Sequence, residues 1–188
     1  MKRIFLTLAV LANICILAAF ALGLQVGDPM ANGGVDPAVN ARIGTHMLIG
    51  LAALTSVTLV HALLFTYFMG TGRWLEETST AYSLGNGYYH ASKKLKYGML
   101  PGILLVFAMV MLTGCLGAIA DPATAVSLAS TTGLSDSTLH FTAAIVTWLV
   151  NLLVNFTQYI RIARNSAVVE QVLADVRRIR LERGLPVD

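Results

Sequence analysis

Charged residues are scarce in this chain, 12% of the total, and four stretches hold none at all. Residues 4–24, 43–70, 97–120 and 139–160 lack every Lys, Arg, Asp and Glu. A bilayer core takes about 20 helical residues to cross, and one charge at its centre costs about 2.5–3.5 kcal/mol. Clean runs of this length exclude a water-soluble globular domain. The lack of carboxylates inside them removes the groups on which a pump or ion-coupled carrier would depend. Cysteine is equally rare. Cys15 and Cys115 each lie within a run, without CxxC or CxxCH context. That argues against a disulfide framework, a thiolate metal site or covalently attached haem, and they read as small buried apolar residues. Gly70-Thr71-Gly72 lacks the lysine and spacing of a phosphate loop and reads as a helix stop. No Ser/His/Asp constellation, carboxylate pair or metal-spaced cluster appears, and no internal repeat is evident in the residue pattern.

What remains points to an all-α fold, an integral membrane four-helix bundle of up-and-down topology with a cytoplasmic amphipathic helix at its C-terminus. Residues 1–160 form the membrane domain and 161–188 the tail. With alternating helix directions, every Lys and Arg except Arg42 falls on one side, which the positive-inside bias makes cytoplasmic. Both termini are then inside, and a bacterial inner membrane suits the arrangement. The basic balance is a consequence of topology, so nucleic acid is not an expected partner. Met-Lys-Arg followed by an apolar run and Ala19-Phe20-Ala21 also has features of a signal peptide, but the run is longer than an ordinary h-region. A retained helix is the expectation. Asp28-Pro29, Gly33-Gly34 and Asp36-Pro37 make the first outer loop turn-rich, and Asp121-Pro122 ends the third span. The inner loop is expected to carry a short interfacial helix over 73–83, with a break at Gly85-Asn86-Gly87.

Polar side chains at membrane depth carry whatever chemistry there is. His140, Thr147, Asn151 and Gln158 recur at steps of seven, four and seven, so they share one face of the fourth span, with Asn155 about 60° round. His46 on the second span and His140 on the fourth lie at matching depth from the outer boundary. Spans two and four are diagonal neighbours in an up-and-down bundle, so the pair can supply both axial nitrogens of a b-type haem. Gly50, one turn below His46, leaves room for a macrocycle. The arrangement resembles, in architecture, the haem-carrying four-helix core of cytochrome b proteins and the membrane anchors of succinate dehydrogenases. His61 has no histidine at its own level. Its expected neighbours are Asn151 and Asn155, in a structural cluster or, with Tyr67, a quinone- or proton-handling site. His90 falls outside the spans.

Along the tail, Val169, Val172, Val176 and Ile179 form an apolar stripe that requires a cover. A second membrane subunit or a second copy of the chain is the expected partner, beside the bilayer itself. The first reading is therefore a non-catalytic accessory subunit of a membrane complex, with electron transfer the preferred setting. The alternative is a b-type cytochrome with heme b between His46 and His140 that exchanges electrons with quinone.

Overall fold

The computed structural model describes residues 1–26 and 36–186. Within them the chain is helical, with no strand: α1 (Lys2–Gly23), α2 (Pro37–Ala81), α3 (Gly87–Ile119), the single turn α4 (Ala129–Thr132) and α5 (Asp136–Glu182). Four of these, α1, α2, α3 and α5, are long and apolar enough to cross a membrane. Asp28-Pro29 and Gly33-Gly34 lie outside the described residues. Asp36 caps α2, its carboxylate accepting from the Ala38 amide at 2.8 Å, and Pro37 takes the first helical position, where a missing N–H costs nothing. Ser135 caps α5 in the same way, accepting from the Thr138 amide.

The four long helices form a ring in the order α1, α2, α3, α5, each packed on its two neighbours. Across the ring α2 and α5 also touch, whereas α1 and α3 scarcely meet. The core is made of Phe5, Ala9 and Ala12 of α1, the Val57–Phe68 face of α2, the Met99–Val110 face of α3, and Val154 and Ile162 of α5. Outward-facing Leu, Ile, Met and Phe cover the rest, as a lipid-facing surface requires. Cys115 is exposed there and Cys15 half-exposed, so neither is the buried core residue expected.

One correction concerns the end of the bundle where the Lys and Arg residues gather. The glycines at 70 and 72 do not stop a helix. α2 runs through them to Ala81 and turns back through Ser83 and Gly85, both at positive φ (56° and 75°), into α3. Gly72 serves instead as a packing point, since a Cβ there would meet Ser92 Oγ at 3.9 Å. α5 continues likewise past residue 160, so three helices project together beyond the apolar spans. Leu75, Ser92, Asn165 and Val172 are fully buried in this projection. Ser92 Oγ donates to Asn165 Oδ1 (2.8 Å), whose amide donates to Thr71 Oγ1 (3.1 Å) and Tyr67 OH (3.3 Å). Tyr88 OH donates to Asp175 at 2.5 Å, and the carboxylate pushes the phenol above its ordinary pKa. The tail's stripe therefore finds a cover inside the chain. Val172 is buried, and Val169, Val176 and Ile179 are half-buried.

An internal repeat, invisible in the residue pattern, is plain in the packing. The buried residues Ala53, Val57, Val60, His61, Leu64 and Phe68 of α2 are matched 94 positions on by Thr147, Asn151, Val154, Asn155, Gln158 and Ile162 of α5, all buried. Phe5, Ala9 and Ala12 of α1 are matched at the same offset by Met99, Ile103 and Val106 of α3. The buried positions thus recur at a constant offset between two α-helical hairpins, α1–α2 and α3–α5.

Candidate functional site

His46 and His140 are equivalent positions of this repeat, again 94 apart. Each leans on the first helix of its own hairpin. His46 Nδ1 lies 3.0 Å from the Ala19 carbonyl oxygen, and His140 Nδ1 lies 3.2 Å from that of Thr113, each 27 residues back. Each ring also packs against a glycine, where a Cβ would make a tight contact. A Cβ on Gly23 would stand 3.0 Å from His46 Cε1, and one on Gly117 would stand 3.0 Å from His140 Cε1. One turn below each histidine is a small, half-buried residue, Gly50 and Ala144, and a Cβ at Gly50 would meet nothing within 4 Å. A groove of about 360 Å³ opens at the same end of the bundle, lined by Asn40, Ile43, Gly44 and Met47 of α2 and by Asp121–Ala123, with neither histidine in its wall.

The two rings come together at that level, with centroids 6.0 Å apart and planes at 77°. Their hydrogen bonds fix the chemistry. A carbonyl oxygen can only accept, so each Nδ1 carries a proton, and the neutral form of each ring has its lone pair on Nε2. Neither Nε2 has a partner among the described residues. Two metal–nitrogen bonds of about 2 Å and two half-rings of about 1.1 Å would put collinear imidazole centroids about 6.2 Å apart. Locking Nδ1–H on a backbone carbonyl is also how proteins orient metal-binding histidines. Among the described residues no third His, Cys, Asp or Glu joins the pair. The chain matches no family model, no curated protein and no solved structure.

About 15 residues further along α2 lies His61, fully buried. Its Nδ1 is 3.0 Å from Gln158 Oε1 and its Nε2 is 3.1 Å from Asn151 Oδ1, with Phe107 edge-on at 6.2 Å. Of the residues expected around it, Asn151 is a direct partner and Asn155 is buried with its Oδ1 unpartnered. Tyr67 does not join them, because its hydroxyl is bonded to Asn165. Residue reasoning missed Gln158 as a ring partner, although it had placed it on the right face. It also missed Asn165, which stands one more step of seven beyond Gln158 and would have been found had the stripe been followed past residue 160. Between the two histidine levels, Thr113 and Thr147 share a 2.7 Å hydrogen bond, and Trp148 Nε1 donates to Asn13 Oδ1 at 3.1 Å. His90 is exposed at the start of α3, far from the other three.

Proposed function

We propose that this protein is a membrane-embedded b-type cytochrome subunit that holds one haem between His46 and His140 and serves one-electron transfer, with membrane quinone as exchange partner. The observation that carries the reading is the pair itself: two imidazoles at bis-axial separation, each with its Nδ1 proton committed to a carbonyl and its Nε2 lone pair free. An Nε2 without a protein partner on each of two neighbouring rings is what a Lewis acid held between them would use. With two protein ligands only, the remaining coordination positions must come from the ligand, as a porphyrin supplies four. Gly50 and Ala144 leave room beside the rings, and the groove along Ile43–Met47 gives a flat group somewhere to extend. Haem bound there would supply a one-electron couple. The chain's own part is to orient both rings through Ala19, Thr113, Gly23 and Gly117 and to keep the site in apolar surroundings.

The orientation that goes with this reading puts the basic end in the bacterial cytoplasm and the histidine pair near the opposite face. The first reading from sequence, an accessory subunit docked through its tail, would use what the tail's stripe still offers, since Val172 is buried and Val169, Val176 and Ile179 are half-buried. Membership in a larger electron-transfer assembly remains compatible with a haem subunit.

An absorption spectrum of detergent-purified protein from haem-replete cells, oxidised and then dithionite-reduced, tests the proposal. A Soret band with sharp α and β bands on reduction is expected, lost in His46→Ala and in His140→Ala and kept in His90→Ala. A colourless protein would sink the cytochrome reading and return the accessory subunit to first place.

A further inference from the structure

The polar groups around His61 have no part in the haem site, and their donors and acceptors do not balance. Both ring nitrogens face amide oxygens, of Gln158 and of Asn151. A neutral imidazole has one donor and one acceptor, so one of these amides must turn its NH₂ toward the ring. Whichever turns, the cluster keeps at least one buried NH₂ and one buried oxygen with nothing to bond. Asn155 Oδ1 is unpartnered in either case, and the amide nitrogens of Asn151 and Gln158 are the other unpartnered atoms. Asn151 and Gln158 are 1% exposed and Asn155 is 9% exposed, so bulk water does not reach them directly.

We propose that this cluster is an internal water site, and that the water keeps the fully buried His61 in proton exchange with solvent. Water fits because it donates and accepts at once. It can donate to Asn155 Oδ1 and accept from the amide NH₂ turned away from the ring, which meets the two-partner minimum for a buried water. A quinone carbonyl only accepts and would leave Asn155 Oδ1 bare, and a cation would find no carboxylate. No Asp, Glu, Lys or Arg lies within the apolar runs at this level. Phe107 of α3 closes one side, and Asn13, the one strongly polar side chain of the first apolar run, is committed to Ala9 and Trp148. Toward the basic end, the Tyr67, Thr71, Ser92 and Asn165 group begins about 10 Å beyond Gln158, seven helical residues on. Leu64, Phe68 and Ile162 are fully buried between the two groups, so exchange across that gap proceeds through transient opening of the packing. Exchange requires one ring hydrogen bond to open: a proton taken up at the accepting ring nitrogen is balanced by one leaving the other, so the ring returns to a neutral tautomer. This inference does not depend on haem.

Solid-state NMR of the full chain in bilayers, labelled with ¹⁵N-histidine, tests it, with His61 assigned by the signals lost in His61→Gln. Magnetisation from water protons should reach the His61 ring N–H, which should exchange in D₂O within minutes. Asn155→Leu removes the bare acceptor but neither ring partner, and should weaken the water transfer several-fold. A wild-type ring N–H that receives no transfer and persists for days would overturn the proposal. Transfer unaffected by Asn155→Leu would do so as well. Ring signals that shift on addition of a short-chain quinone would hand the site to that ligand instead.

Discussion

A methyl group on Gly23 or Gly117 would stand 3.0 Å from a ring carbon of His46 or His140. Each ring has only two rotatable bonds and a hydrogen bond to keep, so it cannot move aside without giving up Ala19 or Thr113. Gly23→Ala and Gly117→Ala should each lower haem affinity about tenfold or more, the usual scale for disturbing the groups that orient a metal ligand. Haem titration against the purified apoprotein measures it. Gly44→Ala is the control, since a Cβ there meets nothing within 4 Å and should leave the titration unchanged. His61 makes a contrasting case. Replacing it with Leu strips partners from the buried Asn151 and Gln158 amides, at about 1–3 kcal/mol each, yet touches nothing at the haem level. His61→Leu should therefore lower resistance to denaturation while the Soret band keeps its position. A shifted band would mean that the two histidine levels are coupled. The His46–His140 pairing was legible in the sequence because depth on a helix is a matter of counting residues from a boundary. The tautomer lock was not, because Ala19 and Thr113 contribute only backbone carbonyls.

At the level of elements, the tail shows where a helix finds its cover. Val172 of α5 is fully buried, and Tyr88 ties α3 to Asp175 of α5. Val172→Asp would bury a charge without a counter-ion, at a cost of about 3 kcal/mol or more. It should expose the 70–95 region to protease while the spectrum of the haem end is unchanged. The Tyr88 contact has a pH signature. Asp175 stabilises the neutral phenol, so the folded pKa is raised; the stabilisation is present below the ordinary phenol value of about 10 and is lost as pH rises through the raised value. Limited proteolysis of the basic end should accelerate above about pH 10 in the native chain. In Tyr88→Phe the rate should already be raised at neutral pH and lack that step. The sequence showed the stripe but not its partner. Gly70 and Gly72 looked like a stop, whereas the stripe from Ile162 onward did announce that the fourth helix continues past Arg161. What no local signal announced was that α2 and α3 extend beside it.

At the scale of the molecule, the two hairpins explain why the site sits where it does. Each hairpin orients its own histidine through its own first helix, so each half carries a finished half-site and neither carries a complete one. Few residues are shared between the halves, because packing selects size and polarity rather than identity: Phe5 answers to Met99, Ala9 to Ile103, Val57 to Asn151. A search by residue identity therefore misses a repeat that burial makes evident. The arrangement leads to a strong expectation for a divided chain. Cleaving the sequence at the Tyr82–Asn86 turn and coexpressing residues 1–84 with 85–188 should give a complex with the bis-histidine spectrum, since the contacts that orient each histidine lie within its own half. Either half expressed alone should lack that spectrum, or acquire it only by pairing two copies of itself, which size-exclusion mass would reveal. If the coexpressed halves assemble yet stay colourless while the intact chain is coloured, the half-sites are not preformed. The continuous three-helix projection at the basic end would then be what sets the distance between the two histidines.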